Sequence, residues 1–381
     1  MPYIPVSHVL LICFWSFTLI LLFYYLFFFL RLALRRSRTE TAPDAQQRQP
    51  ISLIICAFNE EANLTKNLPL WLNQDYHRNG QPAFEVLVIN DNSEDDTFYL
   101  LNRLCEEYAH LRVVHLTQEA KHIPGKKFPL SIGIKSAYYE HCLLTDADCT
   151  PDSNQWLARM AAGFSSKKQI VLGYSPYKRH KGWLNKRIRF ETIHTAMQYL
   201  SYAMAGLPYM GVGRNLAYTR SLFFNNKGFS SHNHIASGDD DLFINQVANA
   251  GNTTIRIHPE TFMRSEPKTN AEYWYIQKAR HLSTGKHYRF KHKFLLGLYA
   301  MSHFFFWACF IALLFFPTTY LFVLPVWGGR FLLHLILFRA CFRKLDGADL
   351  VPLIPVFDIY YLFYNIRHLG TIFFKTPKHW K

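Results

Sequence analysis

The sequence predicts an α/β fold: a mixed, mainly parallel sheet flanked by helices, with transmembrane helices at both ends of the chain. Three observations carry this. Short apolar runs alternate with helical patterns between Pro50 and about Gly173. Charge-poor apolar stretches gather at the two ends, leaving a middle of mixed, soluble composition. The predicted strands run into acids and amides, and open parallel sheets bind ligands at those carboxyl ends.

The first element is an apolar helix over residues 8–34. From Val9 to Leu30 there is no charged residue, enough length to cross a bilayer core. Arg31, Arg35, Arg36 and Arg38 follow, which places that end in the cytoplasm by the positive-inside rule. The run is too long for a cleaved signal peptide and lacks a basic leader and a small-residue cleavage site, so an uncleaved anchor is expected.

The soluble domain is expected over residues 50–285. Ile51–Cys56 has a buried-strand pattern, and an amphipathic stretch runs from Glu60 to Gln74. Phe84–Ile89 is a second strand, followed by a helix to Tyr108; Leu111–Leu116 is a third strand and His141–Leu144 a fourth. The first strand leads into Asn59-Glu60-Glu61, the second into Asn90-Asp91-Asn92-Ser93, and the fourth into Asp146-Ala147-Asp148. Strand ends that converge on acids and amides make one site. No Walker lysine loop or GxGxxG follows the first strand, which argues against a P-loop or a dinucleotide site.

Further on, Ser237-Gly238-Asp239-Asp240-Asp241-Leu242 sets three carboxylates in a row. Such a run repels itself unless something nearby uses the charge, and a solvated acidic turn is the plain alternative. Met210-Gly211-Val212-Gly213-Arg214-Asn215 lies between the two acidic motifs, its glycines allowing close backbone approach or simply a tight turn. A helix from Phe190 to Ala205 is rich in Met and Tyr and reads equally as core or as a membrane-interface element. Leu242 to Ala250 reads as a helix opened by Asp241.

A helical hairpin is expected over residues 294–340, turning at Pro317-Thr318-Thr319. Arg330 lies inside its second arm and needs a partner in protein, water or headgroups. Arg339, Arg343 and Lys344 mark a cytoplasmic return. Residues 350–374 are interrupted by Pro352, Pro355, Asp358, Arg367 and His368, so an interfacial or re-entrant segment fits them better than a fourth span. The basic tail Lys375–Lys381 favours the cytoplasmic side, and the run Lys286–Lys293 reads as a headgroup anchor.

Net charge is +15, but no nucleic-acid recognition motif accompanies it; anionic headgroups and a phosphate-bearing substrate account for it instead. The seven cysteines form no CxxC pair, which suits a reducing compartment, and the histidines show no ligand spacing.

Taken in order, these motifs resemble the inverting family 2 glycosyltransferases with a GT-A (Rossmann-like) fold. Ile54–Glu61 is similar to their opening strand and nucleotide loop, through Ala57, Asn59 and Glu60. Val88–Ser93 resembles the D-D-x-S nucleoside site, with Asp91 as the matching acid, and Gly125-Lys126-Lys127 the G-K element beside the donor. Asp146-Ala147-Asp148 matches D-x-D, and Gly238-Asp239-Asp240 the E-D or G-D-D base motif. Gln277-Lys278-Ala279-Arg280-His281 resembles Q-x-x-R-W. The ordered set covers roughly three fifths of the chain.

The resemblance implies roles. Asp148 would hold Mg²⁺ or Mn²⁺ against the leaving diphosphate, with Asp146 supporting it or touching the ribose. Glu60 and Asp91 would bind uracil or ribose, with Asn59 beside them or serving only as a helix cap. Lys126 or Lys127 would contact phosphate, unless they are an ordinary solvated pair; Gln277 and Arg280 would lie near the diphosphate. Asp240 would be the base, with Asp239 raising its pKa by like charge. Gly213, Arg214, Asn215 and His281 are the acceptor-side candidates. His281 replaces a Trp that stacks on a growing chain in processive synthases, which favours transfer of one sugar. The expected protein is a metal-dependent glycosyltransferase at the cytoplasmic face of a bacterial inner membrane, moving one sugar with inversion from a UDP-sugar to a lipid or lipid-linked acceptor. The rivals are a processive polysaccharide synthase and an inactive sugar-nucleotide-binding scaffold.

Overall fold

Residues 5–36, 44–117 and 123–373 are described by the computed structural model. They form two units, one built on residues 36–287 and the other on the chain before residue 36 and after residue 287. The chain opens with α1 (Val6–Phe23), a π-helical turn (Tyr24–Phe29) and α2 (Leu30–Leu34), which run on as one helix.

The sheet unit begins at β1 (Ile51–Ala57), followed by α3 (Glu61–Leu72), a hairpin of β2 (His77–Arg78) and β3 (Gln81–Pro82), and β4 (Phe84–Asp91). Next come α4 (Thr97–Glu107), β5 (Leu111–Leu116), α5 (Lys127–Ser136), β6 (His141–Asp146), β7 (Cys149–Pro151) and α6 (Trp156–Ala161). Then follow β8 (Ile170–Leu172), α7 (Trp183–Met204), β9 (Leu216–Thr219), α8 (Arg220–Asn225) and α9 (Asp241–Val247). The unit closes with β10 (Thr253–Ile255), β11 (Met263–Ser265) and α10 (Ala271–Ser283).

Seven strands form the main sheet in the order β10-β8-β9-β6-β1-β4-β5. Only β9 runs against its neighbours in that sheet, so the expected mixed, mainly parallel sheet is present. β1 and β4 are apolar along most of their length because both faces are covered. On one face Ile51, Leu53, Ile55, Val86 and Val88 pack with Leu64, Leu68, Trp71, Trp156 and Met160. On the other, α5 comes close at Gly133, where a Cβ would meet Ile54 Cγ2 at 2.7 Å. α7 starts earlier than Phe190 and is a core helix: Ile188, Ile193, Met197, Tyr199, Leu200 and Tyr202 are all buried.

Register brings the functional ends together. Ala57 lies beside Asn90, and Cys56 beside Asp146. Because β9 is antiparallel, its amino end lies where β6 has its carboxyl end, with Leu216 opposite Leu144. The 3-10 turn Gly213–Asn215 therefore enters beside the Asp146 strand end.

In the helical unit, α11 (Phe290–Leu313) leads through a 3-10 turn (Pro317–Thr319) to α12 (Tyr320–Lys344). A second 3-10 segment (Ala348–Leu353) precedes α13 (Ile354–Phe373). Among the described residues, three stretches are long and apolar enough to cross a membrane: Val6–Leu34, Phe290–Leu313 and Pro317–Lys344. Phe14 stacks on Phe306 and Phe17 on Phe305, each at 5.2 Å between centroids. Arg330 faces protein: its guanidinium forks onto Asp358 of α13 at 2.7 and 3.1 Å, and His303 lies 2.9 Å from the same carboxylate. This pairing lets the helix bury a carboxylate. The basic tail Lys375–Lys381 lies outside the described residues.

Candidate active site

The loops after β1 and β4 are stitched to each other. Asn59 turns the chain with φ 54°, its N–H donating to Ser93 Oγ at 2.9 Å and its Oδ1 accepting from Glu94 N at 2.7 Å. Asn59 is thus a loop brace and not a helix cap; the cap position is Glu60, whose backbone N–H donates to Thr97 Oγ1 at 3.1 Å. The Glu60 carboxylate accepts from Asn63 Nδ2 at 2.6 Å. Burial pushes it above the usual carboxylate range against that bond, and Asp148 and Asp146 add to the push. Asp91 is the last residue of β4 and half-exposed, while Ala57 is buried at the end of β1.

At the end of β6, ligand atoms of Asp146, Asp148 and Cys149 lie within 4.8 Å of one another. Burial and the Asp146 charge hold Asp148 above its usual range. Burial also acts on Asp146, but the Lys126 ammonium, 2.5 Å from its Oδ1, overrides that and holds it low, helped by Arg214 and Arg280. The Cys149 thiol donates to Asp148 Oδ1 at 3.3 Å, and burial with both acids pushes its pKa well up, so it stays protonated. The donor set for a cation is therefore two hard carboxylates, one of them poorly compensated, which fits Mg²⁺ or Mn²⁺.

Lys126 also reaches the second motif, its Nζ 3.8 Å from Asp239 Oδ2. Burial works against its charge, but Asp146 and Asp239 together hold its pKa above the usual lysine value. Next along, Asp240 Oδ1 accepts from Asp241 N at 2.7 Å and Oδ2 accepts from Gly213 N at 2.8 Å. Its pKa is pushed up to about 7. Burial is the largest single cause, with the Asp239 and Asp241 charges next. Gly238 sits at φ +98°, and a Cβ there would meet Leu242 Cδ1 at 2.5 Å, so the turn into the acids needs glycine. Asp241 opens α9 by accepting from Leu242 N at 2.7 Å, and its other oxygen accepts from the Thr284 hydroxyl.

Residues 52–237 match the profile described as Glycosyl transferase family 2. This stretch of the chain is a family 2 glycosyltransferase domain. Among curated relatives, it is 25% identical over 239 residues to the probable glycosyltransferase YdaM of Bacillus subtilis, covering 60% of this chain and 54% of that one. It is 35% identical over 107 residues to the beta-monoglucosyldiacylglycerol synthase of Trichormus variabilis, covering 28% of this chain and 22% of that one. The chain thus spans about half or less of the length of these relatives. Among solved structures, it is similar to the mannosyltransferase PcManGT from Pyrobaculum calidifontis in complex with GDP-Man and Mn²⁺, with TM-score 0.57 and 20% identity over 93% of this chain and 99% of that one. That likeness is one of fold, and the fold is GT-A.

Two residues matched to family motifs are used differently here. Lys127 is buried, and its ammonium donates to the carbonyls of His232, Ile235 and Ser237 at 2.7, 2.6 and 2.8 Å. All three of its donors are taken by these carbonyls. Asn215 is fully buried, its amide donating to the Tyr174 and Thr261 carbonyls while its Oδ1 accepts from Trp156 Nε1, so it braces the core. Arg214 stays near the acids, its guanidinium 4.5 Å from the Tyr177 ring centroid, with Nη1 buried and unpartnered. Arg280 is close enough to depress Asp146, and its Nε is buried without a partner. Gln277 is half-buried on α10 and His281 exposed near its end.

Sequence reasoning missed Cys149, Thr284 and Tyr177. Cys149 had a signal, since it directly follows the D-x-D acids. Thr284 and Tyr177 had none, because their partners are distant in sequence.

Proposed function

We propose that this protein is a membrane-bound glycosyltransferase that moves one sugar, with inversion, from a nucleotide-diphosphate sugar to a lipid or lipid-linked acceptor. One observation carries the reading: a single ammonium, Lys126, lies 2.5 Å from the D-x-D acid Asp146 and 3.8 Å from Asp239, beside the base candidate. That bridge supports a donor-side and an acceptor-side motif sharing one site.

Asp240 takes the proton of an acceptor hydroxyl while that oxygen attacks the anomeric carbon. The bond from that carbon to the diphosphate oxygen breaks, and the nucleotide leaves with the electron pair. A single displacement from the opposite face inverts the anomeric centre. The hydrogen bonds from Gly213 and Asp241 to Asp240 keep its carboxylate in one orientation. Asp146 and Asp148 would hold a divalent cation, which supplies Lewis-acid neutralisation of the leaving diphosphate. Lys126, Arg214 and Arg280 add positive charge around the same acids. Glu60, Asp91 and the Ala57–Asn59 turn would receive the nucleoside at the ends of β1 and β4.

Membrane attachment and the lipid product in the name of the Trichormus variabilis relative support a lipid acceptor. The nucleotide and Mn²⁺ held by the Pyrobaculum calidifontis neighbour support a nucleotide-sugar donor and a divalent cation. The arginines after the first apolar helix support a catalytic domain on the cytoplasmic side of a bacterial inner membrane. The test is transfer from radiolabelled UDP- and GDP-sugars, with Mn²⁺, into membrane lipid extract by the purified protein. One labelled lipid product is expected. A ladder of products would mean a processive synthase instead, and no transfer from any donor would defeat the reading.

A further inference from the structure

Two adjacent lysines at the start of α5 point their ammonium groups into different chemistry. Lys126 pairs with acids. Lys127 is 1% exposed and pairs with no carboxylate at bonding distance; it collects three backbone carbonyls from one short loop, those of His232, Ile235 and Ser237. An ammonium carries three tetrahedral donors, and here each has one acceptor within 2.8 Å. Carbonyl dipoles that converge on one point repel one another, so a loop of this shape depends on a cation at its centre.

The loop runs straight into the acids. Ser237, whose carbonyl is the last of the three, precedes Gly238, Asp239 and Asp240. The acid run is thus tethered at three places: by Lys127 in front, by Gly213 N–H on Asp240, and by the Thr284 hydroxyl on Asp241 behind. The carbonyl partners are more than a hundred residues from Lys127, so it links the α5 start to the base loop across the fold.

We propose that Lys127 is a positioning residue: its ammonium cross-links residues 232–237 and so sets where Asp240 meets the acceptor hydroxyl. This rests on the glycosyltransferase reading of the site. Lys127→Met keeps the apolar stem and removes the clamp. Lys127→Arg keeps the charge, but a planar guanidinium cannot direct three bonds from one nitrogen.

The test uses the full chain in detergent. UDP and GDP with Mn²⁺ serve as binding probes, and transfer is followed with whichever of UDP-glucose, UDP-N-acetylglucosamine and GDP-mannose the wild type turns over. Lys127→Met is expected to lose about 10²-fold in kcat, the scale of a small misplacement of a reacting group. Nucleotide affinity and donor KM should stay within about threefold, since the clamp touches no donor group. Amide hydrogen exchange over residues 232–241 should rise in the variant. Lys127→Arg should fall between Met and wild type in both readouts. Weaker nucleotide binding with kcat unchanged would overturn the proposal in favour of a phosphate contact, as would full kcat in Lys127→Arg. If Lys127→Met does not fold, the Arg variant decides alone. If the wild type transfers no sugar, the glycosyltransferase reading fails while hydrogen exchange still decides the clamp: unchanged exchange over 232–241 refutes it.

Discussion

Charge removed from water sits at both ends of the same sheet, fully buried at one and partly buried at the other. At the strand starts, Glu85 is 3% exposed and fully answered within the fold. Its Oε1 accepts from Ser52 Oγ at 2.5 Å and Tyr138 N at 2.6 Å, and its Oε2 from Arg112 Nη1 at 2.6 Å. Arg112 in turn lies 3.4 Å above the Tyr138 ring. At the strand ends, Glu60, Asp148 and Asp240 are all held above their usual range, and buried nitrogens of Arg214 and Arg280 have no partner. A closed network contributes to folding. An open one is costly to keep unless something else uses it, which makes these groups candidates for ligand contact.

The largest effect should come from breaking the open end at its base. Asp240→Asn is expected to lower transfer by about 10³–10⁴-fold, towards the upper range for a general base, with nucleotide affinity unchanged. Steady-state transfer and nucleotide titration check both halves. The same change should raise stability at alkaline pH. A carboxyl whose folded pKa is raised folds without penalty below about pH 4, and its penalty grows as pH climbs towards about 7. Thermal melts of wild type and variant should converge near pH 4 and separate at pH 8, with the Asn variant higher.

The next effect concerns the cation. Exhaustive chelation should cost at least ~10²-fold in transfer, because Lewis-acid stabilisation of the leaving group is worth several kcal/mol, and added Mn²⁺ should restore it. Asp148→Asn should show the same loss without rescue. Full activity after chelation would sink the assignment of Asp146 and Asp148.

The contrast between the two ends is only partly readable in the amino-acid string. β1 and β4 announce themselves because seven and eight residues of buried strand leave a long apolar run. β8 and β10 have three residues each, too few to show a period, and the antiparallel β9 has four. The start of α7 was hidden by Lys186, Arg187 and Arg189, polar residues that interrupt its apolar spacing although Arg189 is itself buried. The acids stood out because strand ends and like-charge runs are local features. Their partners did not: Lys127 and Asn215 are defined by backbone carbonyls, which every residue has and no sequence pattern displays. Two adjacent lysines look alike in sequence, and only the fold separates the one on acids from the one on carbonyls.

A change at the closed end should do the reverse of Asp240→Asn. Arg112→Ala leaves Glu85 buried with one oxygen unanswered, which should cost about 2 kcal/mol of stability, below the full value for a buried pair because Arg112 is partly exposed. Transfer per folded molecule should not change. Denaturant melts beside kcat measurements check this, and a large kcat loss would mean the strand starts are coupled to the site after all.

The smallest expected effect is also the sharpest test of how the open end is tuned. If Asp240 is the base proposed above, it works only when ionised, so kcat/KM should fall about tenfold per pH unit below its pKa of about 7. Burial is the first cause of that value and the Asp239 charge the second. Asp239→Asn removes a like charge while leaving burial in place, so it should move the acidic limb to lower pH by about half to one unit. A return to the ordinary carboxylate range would mean that repulsion dominates and burial does not. No movement would mean that Lys126, 3.8 Å from Asp239, already cancels its charge at Asp240. The limb therefore reports directly whether the lysine that bridges the two motifs leaves any acidic field for the base to feel.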